Sequence, residues 1–214
     1  MTDLYDAILA GDARKAHAST QGAIDAGMGP MELISGAMVP AMDEVGRLFE
    51  AEEYFVPELL LAGRAMKSAM ELLRPLMVAS GQKLGTRIVI GTVKGDLHDI
   101  GKNIVASMLE GSGLDVIDLG ADVAPEKFVK AVHEQQPQVV CMSALLTVTM
   151  PAMKTTIEAL KSAGVRDRVK VLIGGAPVTR QYASEIGADG YSDNASGAVT
   201  LVKSLFAQPD GLMA

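Results

Sequence analysis

The sequence predicts an α/β protein in which four N-terminal helices, residues 1–84, are followed by a flavodoxin- or Rossmann-like doubly wound sheet of five parallel strands, residues 85–214. Three observations predict it. Up to about Leu84, apolar residues recur at steps of three and four, which places each set on one face of a helix. Beyond Gly85 the pattern changes to short β-rich runs alternating with helical segments, as a parallel sheet wrapped by helices requires. Glycine also concentrates in the second half, with 15 of the 22 after residue 80, consistent with tight strand-to-helix turns and close backbone approach to something bound.

In the first half the spacing predicts helices over about residues 2–10, 12–26, 30–49 and 56–78. Ile34, Met38, Met42, Val45 and Phe49 form one stripe, and Met66, Met70, Leu73 and Met77 form another. Gly27-Met28-Gly29-Pro30 separates two helices, Pro57 stands where a first turn begins, and Pro75 weakens the last helix near its end. Residues 79–85, Ala-Ser-Gly-Gln-Lys-Leu-Gly, read as the linker. Strands are expected at 87–92, 114–119, 139–142 and 169–173, with a weak fifth around 190–191. Helices are expected over about 101–112, 125–135, 149–163, 178–186 and 195–207. This alternation fits the flavodoxin-like strand order 2-1-3-4-5, in which the first strand lies beside the third and the fourth lies beyond it.

Composition narrows the function. The chain has 214 residues, 49% hydrophobic and 21% charged, enough for one large or two small globular domains. Its apolar runs fall far short of the roughly 18–20 residues a bilayer span needs, and the acidic start Met1-Thr2-Asp3 lacks the blocks of a signal peptide. A soluble, cytoplasmic protein that contacts no membrane is the expectation. The single cysteine, Cys141, can form neither an internal disulfide nor a cysteine-cluster metal site. With 19 Lys and Arg against 26 Asp and Glu, a net charge of −7 and no basic run, nucleic-acid binding is not expected. Trp is absent and Phe and Tyr number four each, so an aromatic stacking platform is not expected either. Methionine is abundant at 13, a flexible filler that suits adaptable contacts as well as plain core packing.

The chemistry concentrates after the first strand, in Thr92-Val93-Lys94-Gly95-Asp96-Leu97-His98-Asp99-Ile100-Gly101-Lys102-Asn103, at the carboxyl edge of the sheet where doubly wound folds bind ligands. A lone histidine more often solvates or caps something; Asp96 two residues before His98 changes that. A carboxylate that accepts from one imidazole nitrogen fixes the tautomer and leaves the other nitrogen free to bind a metal or take a proton. Gly101 lets the backbone approach a bulky ligand. The third strand runs into Cys141-Met142-Ser143-Ala144-Leu145, which the fold order places beside this loop, so a chain Ser143–Asp96–His98 is expected. A hydrolase triad would need a Gly-x-Ser-x-Gly elbow and a phosphoacceptor receiver would need an Asp where Met142-Ser143 stands; both are rejected. The fourth strand ends in Gly174-Gly175-Ala176-Pro177, a side-chain-free floor or an ordinary tight turn.

Together these blocks read Asp96-x-His98-x-x-Gly101, 41 residues, Ser143-x-Leu145, 28 residues, Gly174-Gly175. The pattern resembles the cobalamin-binding domain shared by cobalamin-dependent methionine synthase, corrinoid proteins of methyltransferase systems and B12-dependent mutases. The string Gly95-Asp96-Leu97-His98-Asp99-Ile100-Gly101-Lys102-Asn103-Ile104-Val105 is most similar to the methyl-carrying branch. The resemblance implies that His98 is the lower ligand of cobalt, displacing the cofactor's own base, whose nucleotide tail enters between the first and third strands. Gly95, Leu97, Asp99, Ile100, Gly101, Leu145, Gly174 and Gly175 would contact the cofactor, with Thr147, Ala176, Asn194 and Ala195 as weaker contacts. Asp96 and Ser143 would adjust the basicity of His98. In that family a helical bundle lies over the upper face of the corrin, so the resemblance implies that the four helices of residues 1–84 form a four-helix bundle cap. The segment from Gly46 to Glu58 looks like its contact segment, with Phe49 and Val56 matching the apolar pair that shields the methyl group. On periodicity alone, Phe49 is a core residue. The resemblance covers nearly the whole chain except 208–214.

The function implied is that of a methyl carrier, loaded as cobalt(I) and discharging from methylcobalt(III). Its implied partners are a substrate:corrinoid methyltransferase, a methylcorrinoid:acceptor methyltransferase serving tetrahydrofolate or coenzyme M, and a reductive activation protein. A chain without barrel domains would work as one subunit of such a system. A cap that moves aside, hinged near Gly81 and Gly85, is expected. The rival reading is a cobalamin-binding sensor without methyl transfer. Methylamines, methanol, betaines and aryl methyl ethers are all open as methyl donors.

Overall fold

The computed structural model describes residues 1–80 and 85–206. Helices α1 (Thr2–Leu9), α2 (Ala13–Asp25), α3 (Pro30–Leu33), α4 (Val39–Glu50) and α5 (Val56–Ala79) build the bundle. Between α3 and α4 lies a π-helical turn, Ile34–Met38, so the single helix expected over 30–49 is a rod with a widened middle. Pro40 supplies the reason: it has no N–H to donate and its ring crowds the carbonyl one turn back, and the wider turn relieves both. Helix α5 passes through Pro75 and ends at Ala79, inside the segment expected to be linker. Of the expected hinge, Gly81 lies outside the described residues. Gly85 is fastened, since its N–H donates to the Gly113 carbonyl at 3.1 Å.

The second half alternates β1 (Arg87–Thr92), α6 (Ile100–Gly111), β2 (Asp115–Asp118), α7 (Pro125–Gln135), β3 (Val139–Ser143), α8 (Pro151–Ser162), β4 (Lys170–Gly174), α9 (Arg180–Ile186), β5 (Gly190–Tyr191) and α10 (Ala195–Phe206). The five strands are parallel in the order β2-β1-β3-β4-β5, as the sequence predicts. Strands covered on both faces need apolar residues throughout, and Ile88, Val89, Ile90, Val139, Val140, Met142, Val171, Leu172 and Ile173 are all buried. Alternate side chains feed two cores. Val89, Val140, Val171 and Ile173 join one with α7, α8 and α9; Ile88, Ile90, Val139, Cys141 and Leu172 join the other with α6, α10 and the bundle. Register aligns the residues of this second face into rows: Ile90, Cys141 and Leu172 are neighbours across β1, β3 and β4, and so are Thr92, Ser143 and Gly174.

The bundle sits on α6 and α10. Glycines let the helices approach: a Cβ on Gly63 of α5 would lie 2.7 Å from the Ser107 Cβ, and one on Gly111 of α6 would lie 2.6 Å from the Met42 Cγ. Polar contacts edge this seam, with Ser196 donating to Glu50 at 2.6 Å and Lys203 pairing with Asp43 at 2.7 Å on one side. Arg74 meets Glu110 and Asp115 at 3.3 and 3.6 Å on the other.

Candidate functional site

Asp96 organises the loop that follows β1. Its carboxylate is wholly buried, with one oxygen accepting from the His98 N–H at 3.0 Å and lying 2.7 Å from His98 Nδ1. The other accepts from the Leu145 N–H at 2.7 Å, the Leu146 N–H at 3.3 Å and the Thr149 hydroxyl at 2.7 Å. Burial alone would raise its pKa; the hydrogen bonds from Thr149, from the His98 and Leu145 amides and from the His98 ring outweigh that and hold it well below the usual carboxylate range. An ionised Asp96 makes Nδ1 the protonated nitrogen. Nε2 is left with no hydrogen-bond partner among the described residues, on a side chain that is half exposed.

The expected chain Ser143–Asp96–His98 is not formed. Ser143 Oγ lies 2.9 Å from Thr92 Oγ1, and Thr92 donates its only hydroxyl proton to the His98 carbonyl at 3.0 Å, so Ser143 must be the donor to Thr92. The register explains this, because Ser143 and Thr92 are directly paired at the ends of β3 and β1. The Asp96 carboxylate instead meets the turn after β3, and the hydroxyl it finds there is that of the buried Thr149. Sequence reasoning missed Thr149. Its only signal was a second hydroxyl residue ahead of Pro151, where a helix begins.

A cavity of about 610 Å³ opens beside His98 and continues between the sheet and helices α6 and α10. The loop after β1 gives it Leu97, His98, Asp99, Ile100 and Gly101; β3 and β4 give Ser143, Leu145, Gly174, Gly175 and Ala176; the start of α10 gives Asn194 and Ala195. Phe49 from the end of α4 and Val56 from the start of α5 close it from above, so Phe49 is both half-buried core and cavity wall. Gly95, Asp96 and Thr147 do not line it. Asp96 lies behind His98; Gly95 (φ +84°) turns the loop and donates to Asp122 at 2.8 Å; Thr147 is exposed on the turn beyond Leu145. Ile90, Ile104, Val105, Cys141, Leu172, Ala198 and Leu201 make the inner wall, which the motif-led reading did not identify. The alternation of strand residues could have found Ile90, Cys141 and Leu172.

The glycines divide by purpose. Gly175 has φ +128°, and a Cβ there would stand 1.9 Å from the Ala144 carbonyl oxygen, so this turn requires glycine with or without a ligand. A Cβ on Gly101 would meet nothing within 4 Å, although this residue stands in a helix, where glycine is disfavoured. The protein itself makes no use of that opening. Above it, Leu97 and Ile100 are 76% and 69% exposed, an uncovered apolar rim around one free imidazole nitrogen. A donor set of one nitrogen, an apolar slot and an unfilled cradle fit a metal that arrives with its remaining ligands in a large flat ring.

The comparisons agree. A B12 binding domain family matches residues 86–200, and a second B12 binding domain family matches residues 1–74. Trimethylamine corrinoid protein 2 of Methanosarcina mazei is 48% identical over 185 residues, covering 85% of this chain and 84% of that one. Dimethylamine corrinoid protein 1 of Methanosarcina acetivorans is 45% identical over 180 residues, covering 83% and 84%. Among solved structures, the methanol:cobalamin methyltransferase complex MtaBC of Methanosarcina barkeri aligns with TM-score 0.86 and 31% identity over 97% of this chain and 79% of that one. A cobalamin-binding protein from Desulfitobacterium hafniense aligns with TM-score 0.75 and 36% identity over 95% and 97%. With both halves matched and relatives of nearly the same extent, the chain belongs to the cobalamin-binding corrinoid proteins of methyltransferase systems.

Proposed function

We propose that this protein carries a methyl group on cobalamin between two enzymes, taking it from a substrate:corrinoid methyltransferase that acts on a methylamine. A methylcorrinoid:acceptor methyltransferase, serving coenzyme M or tetrahydrofolate, would remove it, and a reductive activation protein would rescue oxidised cofactor. The names of the relatives support the methylamine, and a cytoplasmic location suits such soluble partners. The observation that carries this reading is His98, its Nδ1 held by Asp96 and its Nε2 free beside an apolar slot roofed by Phe49 and Val56. Bound cobalamin supplies a cobalt centre that accepts and releases a methyl group.

The chain's own residues do the rest. Asp96 keeps the Nδ1 proton in place, so in the neutral imidazole the lone pair is on Nε2, and Thr149 with the Leu145 amide keeps Asp96 ionised and fixed. Thr149 is thus a positioning residue. Ser143, bound to Thr92, stands at the mouth of the slot, and Gly101 leaves room for the ring. Residues 1–84 serve as the cap and 85–214 as the cofactor domain. Phe49 and Val56 exclude water from the upper face, and the cap yields that face when a partner docks.

The test is direct. Protein labelled with 15N, loaded with unlabelled cobalamin and reduced to the paramagnetic cobalt(II) form, should show coupling to one 15N nucleus, a signature the cofactor's own base cannot give. His98→Ala should abolish it; 15N coupling that survives removes His98 from the metal. Phe49→Ala should leave binding nearly intact yet speed photolysis of bound methylcobalamin several-fold, since a caged radical recombines before escape. It should lower stability by less than the roughly 3–5 kcal/mol of a fully buried aromatic. Unchanged photolysis with a full loss of stability would make Phe49 a core residue alone.

A further inference from the structure

Resting on the corrinoid reading above, we propose that the slot beside His98 selects the lower base of the cofactor's nucleotide tail by polarity, admitting a benzimidazole or a phenol and disfavouring a purine. The sheet register carries the argument. On the face shared with α6 and α10, the outer row is Thr92, Ser143 and Gly174, and the row two residues deeper is Ile90, Cys141 and Leu172. The hydroxyl protons of the outer row are committed, that of Ser143 to Thr92 and that of Thr92 to the His98 carbonyl, so this row has no free donor. Behind them the inner row is walled by Val105 from α6 and Leu201 from α10. The backbone groups of all three strands pair with one another in the ladder. The one polar side-chain atom left in that row is the Cys141 sulfur, a weak donor that burial keeps protonated by pushing the thiol up to about 12.

A base that reaches this row leaves water on both faces and along its far edge. The carbocyclic edge of dimethylbenzimidazole, and the ring of cresol, would offer only methyl groups and ring carbons to Ile90, Leu172 and Leu201. Adenine would bring an amino group and ring nitrogens toward the same side chains, none of which can pair with them, the costly case of a buried polar group left unpaired; the polar lining of the cavity, Ser192, Asp193 and Asn194, lies toward the start of α10 and not in this row.

The experiment titrates the full-length apoprotein with three cobamides, bearing dimethylbenzimidazole, cresol or adenine as lower base, and with cobinamide, which has no base. Dimethylbenzimidazole coordinates cobalt in the free cofactor and must first be released, so the cresol and adenine forms are the pair that reads the slot. The adenine form should bind about 10- to 100-fold more weakly than the cresol form, and cobinamide more weakly than the cresol form. Cys141→Ser, which places a strong donor and acceptor in the inner row, should narrow the gap between adenine and cresol. Equal affinity for the two, a preference for adenine, or cobinamide binding as tightly as the cresol form overturns the slot inference and leaves the corrinoid reading intact. Binding of none of the four removes the corrinoid reading, and the slot inference falls with it.

Discussion

Asparagine in place of Asp96 should destabilise the protein by about 3 kcal/mol at neutral pH, the scale of losing charge-assisted bonds and leaving buried donors unpaired. The carboxylate accepts from both His98 donors and from Leu145, Leu146 and Thr149, so it ties the loop after β1 to the turn after β3. An amide has one oxygen for that work and turns an NH2 group toward donors. The effect has a pH signature. Because the folded protein holds this carboxyl below its ordinary value, its contribution is fully present above the unfolded-state pKa of about 4 and is lost as pH falls toward the folded value. Urea unfolding of both proteins between pH 7 and pH 2 should show the wild type losing its advantage below about pH 4. A constant gap would mean that Asp96 acts through shape and not through charge.

Alanine at Gly175 and at Gly101 should act in opposite ways. At Gly175 the new Cβ would meet the Ala144 carbonyl at 1.9 Å from a backbone at φ +128°, so the apoprotein should lose about 3 kcal/mol or more. At Gly101 nothing lies within 4 Å and the residue is helical, so the apoprotein should gain about 0.5 kcal/mol. Cobalamin affinity should move the other way at Gly101, falling on the order of tenfold if the methyl group takes up the space proposed for the ring. Thermal melts and a binding titration on the two variants check both halves. A Gly101→Ala protein that binds as the wild type does would place the ring elsewhere.

How far the sequence alone reached follows from what each signal encodes. Strand and helix periods report burial, so the five strands could be read from residue types, while their order, and with it the placement of the His98 loop at the carboxyl edge, followed from the doubly wound fold that those elements fit. Ser143 was placed correctly beside β1, but its hydroxyl partner was not, since strand order fixes neighbours and says nothing of how a turn redirects a carboxylate two loops away. Thr149 stayed invisible for the same reason: its contact with Asp96 spans 53 positions and depends on the path of the chain between Leu145 and Pro151. The π-helical turn at Ile34–Met38 leaves the apolar stripe intact and so escapes a periodicity argument. The contacts of Glu50 with Ser196 and Asp43 with Lys203 join surface residues whose pairing only the docked bundle creates.

One hydrophobic cluster runs from Leu4 in α1 through Met66 and Leu73 in α5, across Leu109 in α6, to Val202 in α10. Two family models divide this chain, but the core on this face of the sheet runs across their boundary, so bundle and sheet should unfold together, with a defect at Leu73 felt at Ile88. A docking enzyme that draws the bundle from the cofactor therefore cannot swing a loose flap. It has to trade surface for surface, offering its own apolar groups to whatever part of α6 and α10 it uncovers, and the methionines Met42 and Met108 along that seam can repack against a new neighbour. On the function proposed above, access to the methyl group would thereby be reserved for proteins whose docking face can make that exchange.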